Sequence, residues 1–289
     1  MIDLHCHTSI SDNSDSIEAV LDQAKHNGVD HLAITDHDTT LGLARAAEYS
    51  RKIGITLIPG IEISAYDFTR NRRAHLLGLF IETGHPVLEH LCAPMRAERQ
   101  QAARQMVERL IQAGYPLTWA EVAELAKEST NVYKQHIMHV LFKKGYTDTI
   151  YGDLYRKLFA RAGAGHKQGA AYVSVHYLDA FEAIRAIRAA GGVPVLAHPG
   201  QFDNFAAVSE WVRAGLEGIE VYHPLHDSQA ERHALQLAEK YDLVISGGSD
   251  YHGFYSDTGS RIGDKGVGHH ALETIETRKK RMTQTRCIH

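Results

Sequence analysis

The sequence predicts an α/β fold in which a mainly parallel sheet alternates with helices, and three observations predict it. Short β-branched or apolar runs alternate with stretches whose apolar residues recur at helical spacing. Most of those runs end in His, Asp or Glu, and in parallel α/β folds polar residues at strand C-termini are usually functional. The rhythm breaks once, between about Pro86 and Ala170, where only helical patterns are found. With 289 residues the chain can bury a sizeable core, as two domains or as a single α/β barrel.

Each element has a local reason. Residues 1–8 read as a strand, whose period of two puts His5 and His7 on one face and Leu4 and Cys6 on the other. Two imidazoles converging from one strand make half a metal site. Residues 14–27 read as a helix with Ile17, Val20, Leu21 and Ala24 on one face, Ser14 or Ser16 as N-cap, and Gly28 as its stop. A buried strand at 32–35 runs into Asp36-His37, and a helix at 39–53 ends at Gly54. Two extended segments, 55–58 and 61–66, flank Gly60 and carry Glu62, and the next strand, 74–80, carries His75.

Four helices follow, at 93–113, 119–127, 134–144 and 153–162, with a Gly/Ala-rich run from Ala162 to Ala171. The βα rhythm then resumes: helix 180–190, strand 193–197 ending at His198, helix 205–214, strand 218–222, helix 229–241 and strand 243–246 before Asp250-Tyr251-His252. The implied organisation is one barrel in two parts, 1–92 and 171–268, with 93–170 inserted as a cap over one end. Residues 269–289, with Arg278-Lys279-Lys280-Arg281, read as a polar tail that is solvated or frayed.

Charged residues make up 23% of the chain and the formal net charge is -4, so no global field draws it to long duplex nucleic acid or an anionic membrane. An anionic substrate must be attracted locally. No apolar run approaches the roughly 20 residues of a membrane span, and the N-terminus lacks a basic-then-apolar signal pattern. A soluble, cytoplasmic protein without a membrane partner is expected. Cys6, Cys92 and Cys287 are odd in number and widely spaced, which argues against a disulfide framework and fits a reducing compartment. The count of 20 His invites a metal reading.

Five segments, His5-Cys6-His7, Ile34-Thr35-Asp36-His37-Asp38, Pro59-Gly60-Ile61-Glu62, Ala197-His198-Pro199 and Gly248-Ser249-Asp250-Tyr251-His252, resemble in order the motifs of the PHP family, named for polymerase and histidinol phosphatase. The insertion between the His75 and His198 strands, with Ala190-Gly191-Gly192 leading to Leu196-Ala197-His198-Pro199-Gly200, is most similar to the bacterial branch of phosphoesterases acting on nucleotides and short RNA. That resemblance implies a distorted (β/α)7 barrel with an inserted helical cap and two or three metal ions at the strand C-termini. It implies one ion on His5, His7, Glu62 and Asp250, with Glu62 bridging to a second on His75 and His198, and a third on Asp12, His37 and His252. Six imidazoles with three carboxylates suit Mn²⁺, Fe²⁺ or Zn²⁺ better than Mg²⁺ or Ca²⁺. A hydroxide bridging two such ions would attack phosphorus in line.

Bland roles compete with several of these. A single strand-end His such as His75 is ordinarily a packing or surface residue, and Asp12 could cap the following helix. Asp36 reads as a hydrogen-bond acceptor rather than a ligand. His26, His31, His85, His90, His166, His176, His233, His269, His270 and His289 have no comparable context and read as surface or packing residues.

For substrate, His223 ends a strand and is expected at the metal rim, to bind phosphate or protonate the leaving oxygen. Lys134 stands in Tyr133-Lys134-Gln135-His136, where relatives of this branch carry Arg-Pro-His, so a point charge replaces a planar fork. Arg261 is a further cation that could reach the mouth. The leading expectation is a metal-dependent phosphoesterase taking a small phosphorylated substrate: it would remove the 3′-phosphate of a nucleoside 3′,5′-bisphosphate or cleave short 5′-phosphorylated RNA. The alternatives are a histidinol-phosphate phosphatase and a catalytically silent, metal-binding PHP module.

Overall fold

Residues 1–162 and 167–286 of the computed structural model are described, which leaves His166, Cys287 and His289 outside the described residues. One strand shows how the sheet divides inside from outside. In β3 (Thr56–Asp67), Ile61, Ile63 and Ala65 join the core shared with the surrounding helices, whereas Ile58 faces inward. Glu62 and Ser64, in the same register as Ile58, line a cavity above it. Ascending the strand, one inward row therefore changes from apolar to polar.

The strands are β1 (Ile2–Asp3), β2 (His31–Ile34), β3, β4 (Arg72–Leu79), β5 (Leu178–Asp179), β6 (Val193–Leu196), β7 (Gly218–Tyr222) and β8 (Val244–Gly247). Seven of them form one sheet in the order β1-β2-β3-β4-β6-β7-β8, and β5 pairs separately with β3. The segment after β8 returns beside the first strand. Leu4 N–H donates to Gly247 O at 3.2 Å and Asp250 N–H to His5 O at 2.9 Å, nearly closing the sheet into a barrel. Neighbours are parallel except β4, which runs antiparallel to both β3 and β6.

Helices α1 (Ile17–His26), α2 (Leu43–Ile53), α7 (Ala180–Ala189), α8 (Pro199–Phe202), α9 (Val208–Arg213) and α10 (Ser228–Tyr241) accompany these strands. Between β4 and β5 lie α3 (Pro86–Gln112), α4 (Trp119–Leu125), α5 (Lys134–Lys143) and α6 (Asp153–Phe159). They bury a core of their own around Met106, Leu110, Val122, Ile137 and Leu141. Helix α11 (His269–Arg286) follows the last strand.

Several local expectations change. Residues 56–67 form one strand rather than two segments. Helix α3 starts seven residues early because Pro86 is a favourable first helical residue and the His85 side chain accepts from Val87 N–H. The regular strand at the N-terminus is only Ile2–Asp3, and alternation fails just beyond it. Leu4 packs with Ile2 inside the barrel while Cys6 joins the outer core. The side chain of Asp3 accounts for this: its Oδ1 accepts from the N–H groups of His5, at 3.2 Å, and Ser249, at 3.0 Å, bending the chain between them.

The tail is not frayed over the described residues. Leu272 and Ile275 of α11 are buried against the interior apolar layer of the barrel, opposite the polar end. Arg278 is bonded to Glu217 and Asp242, and Lys279 to Phe80 O. Charge alone concealed a helix with one apolar stripe.

Candidate metal centre

His5 and His7 turn inward with their Nε2 atoms 3.2 Å apart. The His5 nitrogen lies 3.2 Å from Asp250 Oδ1 and 3.5 Å from Glu62 Oε2, and the His7 nitrogen lies 3.2 Å from each of those oxygens. Four donors at the corners of a tetrahedron, with bonds of about 2.0–2.1 Å to its centre, would stand roughly 3.3 Å apart. The observed edges have the size of such a ligand set. Asp250 Oδ1 is sealed from solvent and makes no hydrogen bond despite its two imidazole neighbours, as an oxygen aimed at a cation would be. These residues fit a metal ion.

The other carboxylate oxygen of Glu62 receives two more imidazoles, His75 Nδ1 at 2.9 Å and His198 Nε2 at 3.0 Å. A further group gathers on Asp12: His252 Nε2 stands 3.3 Å from Oδ1, and His37 Nε2 stands 3.8 Å from Oδ2. His37 Nδ1 reaches Glu62 Oε2 at 3.2 Å, linking the two groups. All nine residues singled out in the sequence are thus brought together. His75 arrives by an unexpected route, since it lies near the start of β4 rather than at a C-terminal end. Because β4 is reversed, its beginning lies at the end of the barrel where the other strands finish.

Three of these strand ends adopt left-handed backbone conformations that only glycine takes up without strain: Asp38 (φ 56°), His198 (φ 23°) and Asp250 (φ 47°). In each, the N–H is held by a neighbour already in the centre: Asp38 by Glu62 O, His198 by Glu220 Oε2 and Asp250 by His5 O. Gly248 is needed for a different reason. A Cβ there would lie 2.5 Å from His5 N and 2.7 Å from Asp3 Oδ1, so any side chain would displace the first histidine.

Glu220 was not anticipated. It is fully buried on β7, with Oε1 3.0 Å from His5 Nδ1. A lone acid within Gly218-Ile219-Glu220-Val221, where its neighbours face the outer core, was the available signal. Asp36 behaves as an acceptor, taking Thr8 N–H at 2.8 Å, Thr8 Oγ1–H at 2.7 Å and Ser11 Oγ–H at 2.7 Å.

Burial disfavours charge throughout the centre, yet opposite charges dominate. The carboxylates of Glu220, Asp250 and Glu62 raise the His5 pKa well above its usual value despite desolvation, and His7 rises to about 10. Surrounding imidazoles hold the Glu62 and Asp250 carboxyls well below the usual range. Burial dominates at His37 and lowers it to about 4. Protons and cations therefore compete for the same donors.

The PHP domain family matches residues 3–189 of this chain. The chain belongs to the PHP family. It is 43% identical over 251 residues to a phosphoribosyl 1,2-cyclic phosphate 1,2-diphosphodiesterase of Eggerthella lenta, covering 87% of this chain and 94% of the relative. It is 34% identical over 260 residues to the 5′-3′ exoribonuclease Rnm of Salmonella typhimurium (86% and 84% covered). It is 32% identical over 257 residues to a 3′,5′-nucleoside bisphosphate phosphatase of Chromobacterium violaceum (87% of each). A solved structure from Bifidobacterium adolescentis, described as a metal-dependent phosphoesterase, superposes with a TM-score of 0.84 at 31% identity, covering 96% of both chains. The chain is a phosphoesterase of the PHP family with a distorted barrel.

A cavity of about 660 Å³ opens between the metal-binding end of the PHP barrel and the helical block. It is lined by Asp12, His37, Glu62, His75, His198, Asp250 and His252 of the cluster, and also by the cations Arg73, Lys134 and Arg161 and the rings of Tyr66, Phe68, Tyr155 and Tyr177. Lys134 has no carboxylate partner among the described residues. Its ammonium lies 5.3 Å from the Phe159 ring centroid and 6.0 Å from that of Tyr155. Burial, helped by the charge of Arg73, lowers its pKa to about 8.

Gln135, the neighbour of Lys134, donates from Nε2 to Asp12 Oδ2 at 3.0 Å. It carries the helical block onto the centre. Arg99 is pinned between Asp38, at 2.7 Å, and Ser64, at 3.0 Å.

The other expected substrate contacts fall elsewhere. His223 is fully buried and does not line the cavity. Its Nδ1 accepts from Leu225 N–H, so the Nε2–H points to Asp250 Oδ2 at 3.2 Å. It sits behind a carboxylate rather than before a substrate. The Arg261 side chain is 82% exposed, beside the Asn27–Ile262 contact near the strand N-termini. The loop after His252 runs down the outside of the barrel and carries it away from the mouth.

Proposed function

We propose that this phosphoesterase acts on a small substrate with two phosphates on one ribose, with a nucleoside 3′,5′-bisphosphate or the 5′ end of short RNA as the leading candidates. The observation that carries this reading is the shared cavity: the metal-ligand cluster, Lys134, Arg73 and aromatic rings all line the same space. One phosphate would sit at the cluster and the second at the cations. Tyr66 and Tyr177 stack at 5.9 Å with Phe68 beside them, offering a face for a base.

The ligand assignment is His5, His7, Glu62 and Asp250 for one ion, Glu62, His75 and His198 for a second, and Asp12, His37 and His252 for a third. The nitrogen-rich set favours Mn²⁺, Fe²⁺ or Zn²⁺. Bound there, divalent ions supply an activated water and neutralise charge on the reacting phosphate. The protein's own groups do the rest. Lys134 and Arg73 hold the remote phosphate, Gln135 fixes Asp12, Glu220 orients His5, and the insertion at 93–170 serves as the cap that shapes the substrate space. Buried, unpaired Cys6 and Cys92 fit a reducing, cytoplasmic setting.

A second reading follows from the Eggerthella relative. A phosphoribosyl 1,2-cyclic phosphate also presents two phosphates on a ribose, but no base. Product formation should be compared for adenosine 3′,5′-bisphosphate, AMP, 5-phosphoribosyl 1,2-cyclic phosphate and histidinol phosphate, read as released inorganic phosphate, and for short 5′-phosphorylated RNA, read as released mononucleotide, each with Mn²⁺ and with chelator. Metal-dependent turnover of the bisphosphate or RNA above AMP supports the leading reading. Preference for the cyclic sugar phosphate transfers the role of the cations to a base-free substrate, and preference for histidinol phosphate overturns the two-phosphate reading.

A further inference from the structure

Two histidines without a role in the sequence come together far from the catalytic end. His31 opens β2 and His269 opens α11, and both face Asp30. His269 Nε2 lies 3.2 Å and His31 Nδ1 3.6 Å from Asp30 Oδ2, and the imidazoles meet edge to face at 5.5 Å. One donor atom from each of the three residues lies within 4.8 Å of the others. Asp30 Oδ1 is engaged by the N-terminal ammonium at 2.7 Å, which leaves Oδ2 turned to the two rings.

A second observation points to a missing partner. His31 Nδ1 is sealed from solvent and has no hydrogen-bond partner, a costly state for a ring nitrogen unless something else satisfies it. The side chains of Asp30 and His269 are 46% and 60% exposed, so an ion could enter and keep water in its remaining positions.

We propose that Asp30, His31 and His269 form a separate, structural binding site for a borderline divalent cation of the Zn²⁺ class at the floor of the barrel. Two imidazoles and one carboxylate are the donor set such ions prefer over Mg²⁺ or Ca²⁺. The site joins the first residue of β2 to the first residue of α11, the helix whose Leu272 and Ile275 close the apolar end of the barrel. A cation there would tether two segments distant in sequence and so favour the closed barrel by mass action.

The test uses the Mn²⁺-loaded enzyme, titrated with Zn²⁺ while bound Zn²⁺ and released Mn²⁺ are both counted. Wild type should bind about one Zn²⁺ per chain beyond the Mn²⁺ it releases, the ratio expected of a single added site. His269→Ala, a change at an exposed helix start, should bind none in excess while keeping phosphoesterase activity and the unliganded melting temperature. His31→Gln should behave likewise. In wild type alone, Zn²⁺ should slow hydrogen exchange in the first turn of α11. Equal excess binding in wild type and both variants, or no excess in wild type, overturns the proposal.

Discussion

Glu220 grips two histidines of the centre with its two carboxylate oxygens: Oε1 lies 3.0 Å from His5 Nδ1, and Oε2 accepts the His198 N–H at 2.8 Å. The first contact fixes the His5 tautomer so that Nε2 presents its lone pair to the cluster. The second helps hold the left-handed backbone at His198. Glu220→Gln should therefore lower metal affinity about 10–100-fold and leave the fold intact. Chelator competition checks this; retention of metal at the wild-type chelator concentration would sink the positioning role.

Lys134 should govern affinity for the remote phosphate. Removing a charged hydrogen-bond donor costs about 1.5–3 kcal/mol, so Lys134→Ala should raise KM by about tenfold or more, with kcat little changed. Its pKa is depressed to about 8 by burial and by Arg73. The positive charge is present below that pH and lost above it, so wild-type KM should climb as pH passes 8. Lys134→Arg should flatten this rise. A KM independent of pH between 7 and 9 in wild type would remove the lysine from the phosphate site.

Gln135 spans from the helical block to Asp12. Gln135→Ala deletes a hydrogen bond to a carboxylate, worth about 1.5–3 kcal/mol, and should weaken one ion, that of the Asp12, His37 and His252 group, by about tenfold or more. Metal analysis across a chelator series should show one ion leaving early and the others at their wild-type threshold. Simultaneous loss of all ions would mean that the contact holds the whole centre.

Arg99 neutralises Asp38, which is fully buried and accepts Ser64 N–H at 2.8 Å. Arg99→Met leaves that carboxylate buried without its cation, at a cost of about 3–5 kcal/mol, readable as a lower urea midpoint. Burial opposes ionisation of Asp38, but Arg99 and His37 outweigh it and hold its pKa below the usual value. The stability it contributes is therefore present above about pH 4 and fades as pH falls through the folded value. The wild-type advantage over Arg99→Met should shrink in acid. An advantage that is unchanged at low pH would contradict the pairing.

Chelation of wild type should abolish phosphate release and lower the melting temperature. The buried carboxylates would then be balanced only by protonated imidazoles such as those of His5 and His7. Added Mn²⁺ should restore both. The restoring concentration should rise as pH falls, because imidazoles must lose protons to bind metal.

Much of this was legible in the sequence because its signals are local. Apolar runs ending in His, Asp or Glu carry their ligands wherever the strands pair, and the motif order placed the chain in its family. The helices at 17–26, 180–189 and 228–241 follow from apolar periodicity and capping residues. Those features depend on neighbours within one or two turns, where the chain alone sets the geometry.

What only the tertiary structure decided depends on contacts between distant segments. The reversal of β4 brought His75 to the metal end from the beginning of its strand. A buried hydrogen bond to Asp250 took His223 out of the substrate space, and a descending loop did the same to Arg261. Glu220 gained its role from His5, 215 residues away, and α11 became ordered because Leu272 and Ile275 found the barrel floor. No local pattern records such partners: a charge or an imidazole in the sequence states what it can bind, and only the folded chain states what stands opposite it.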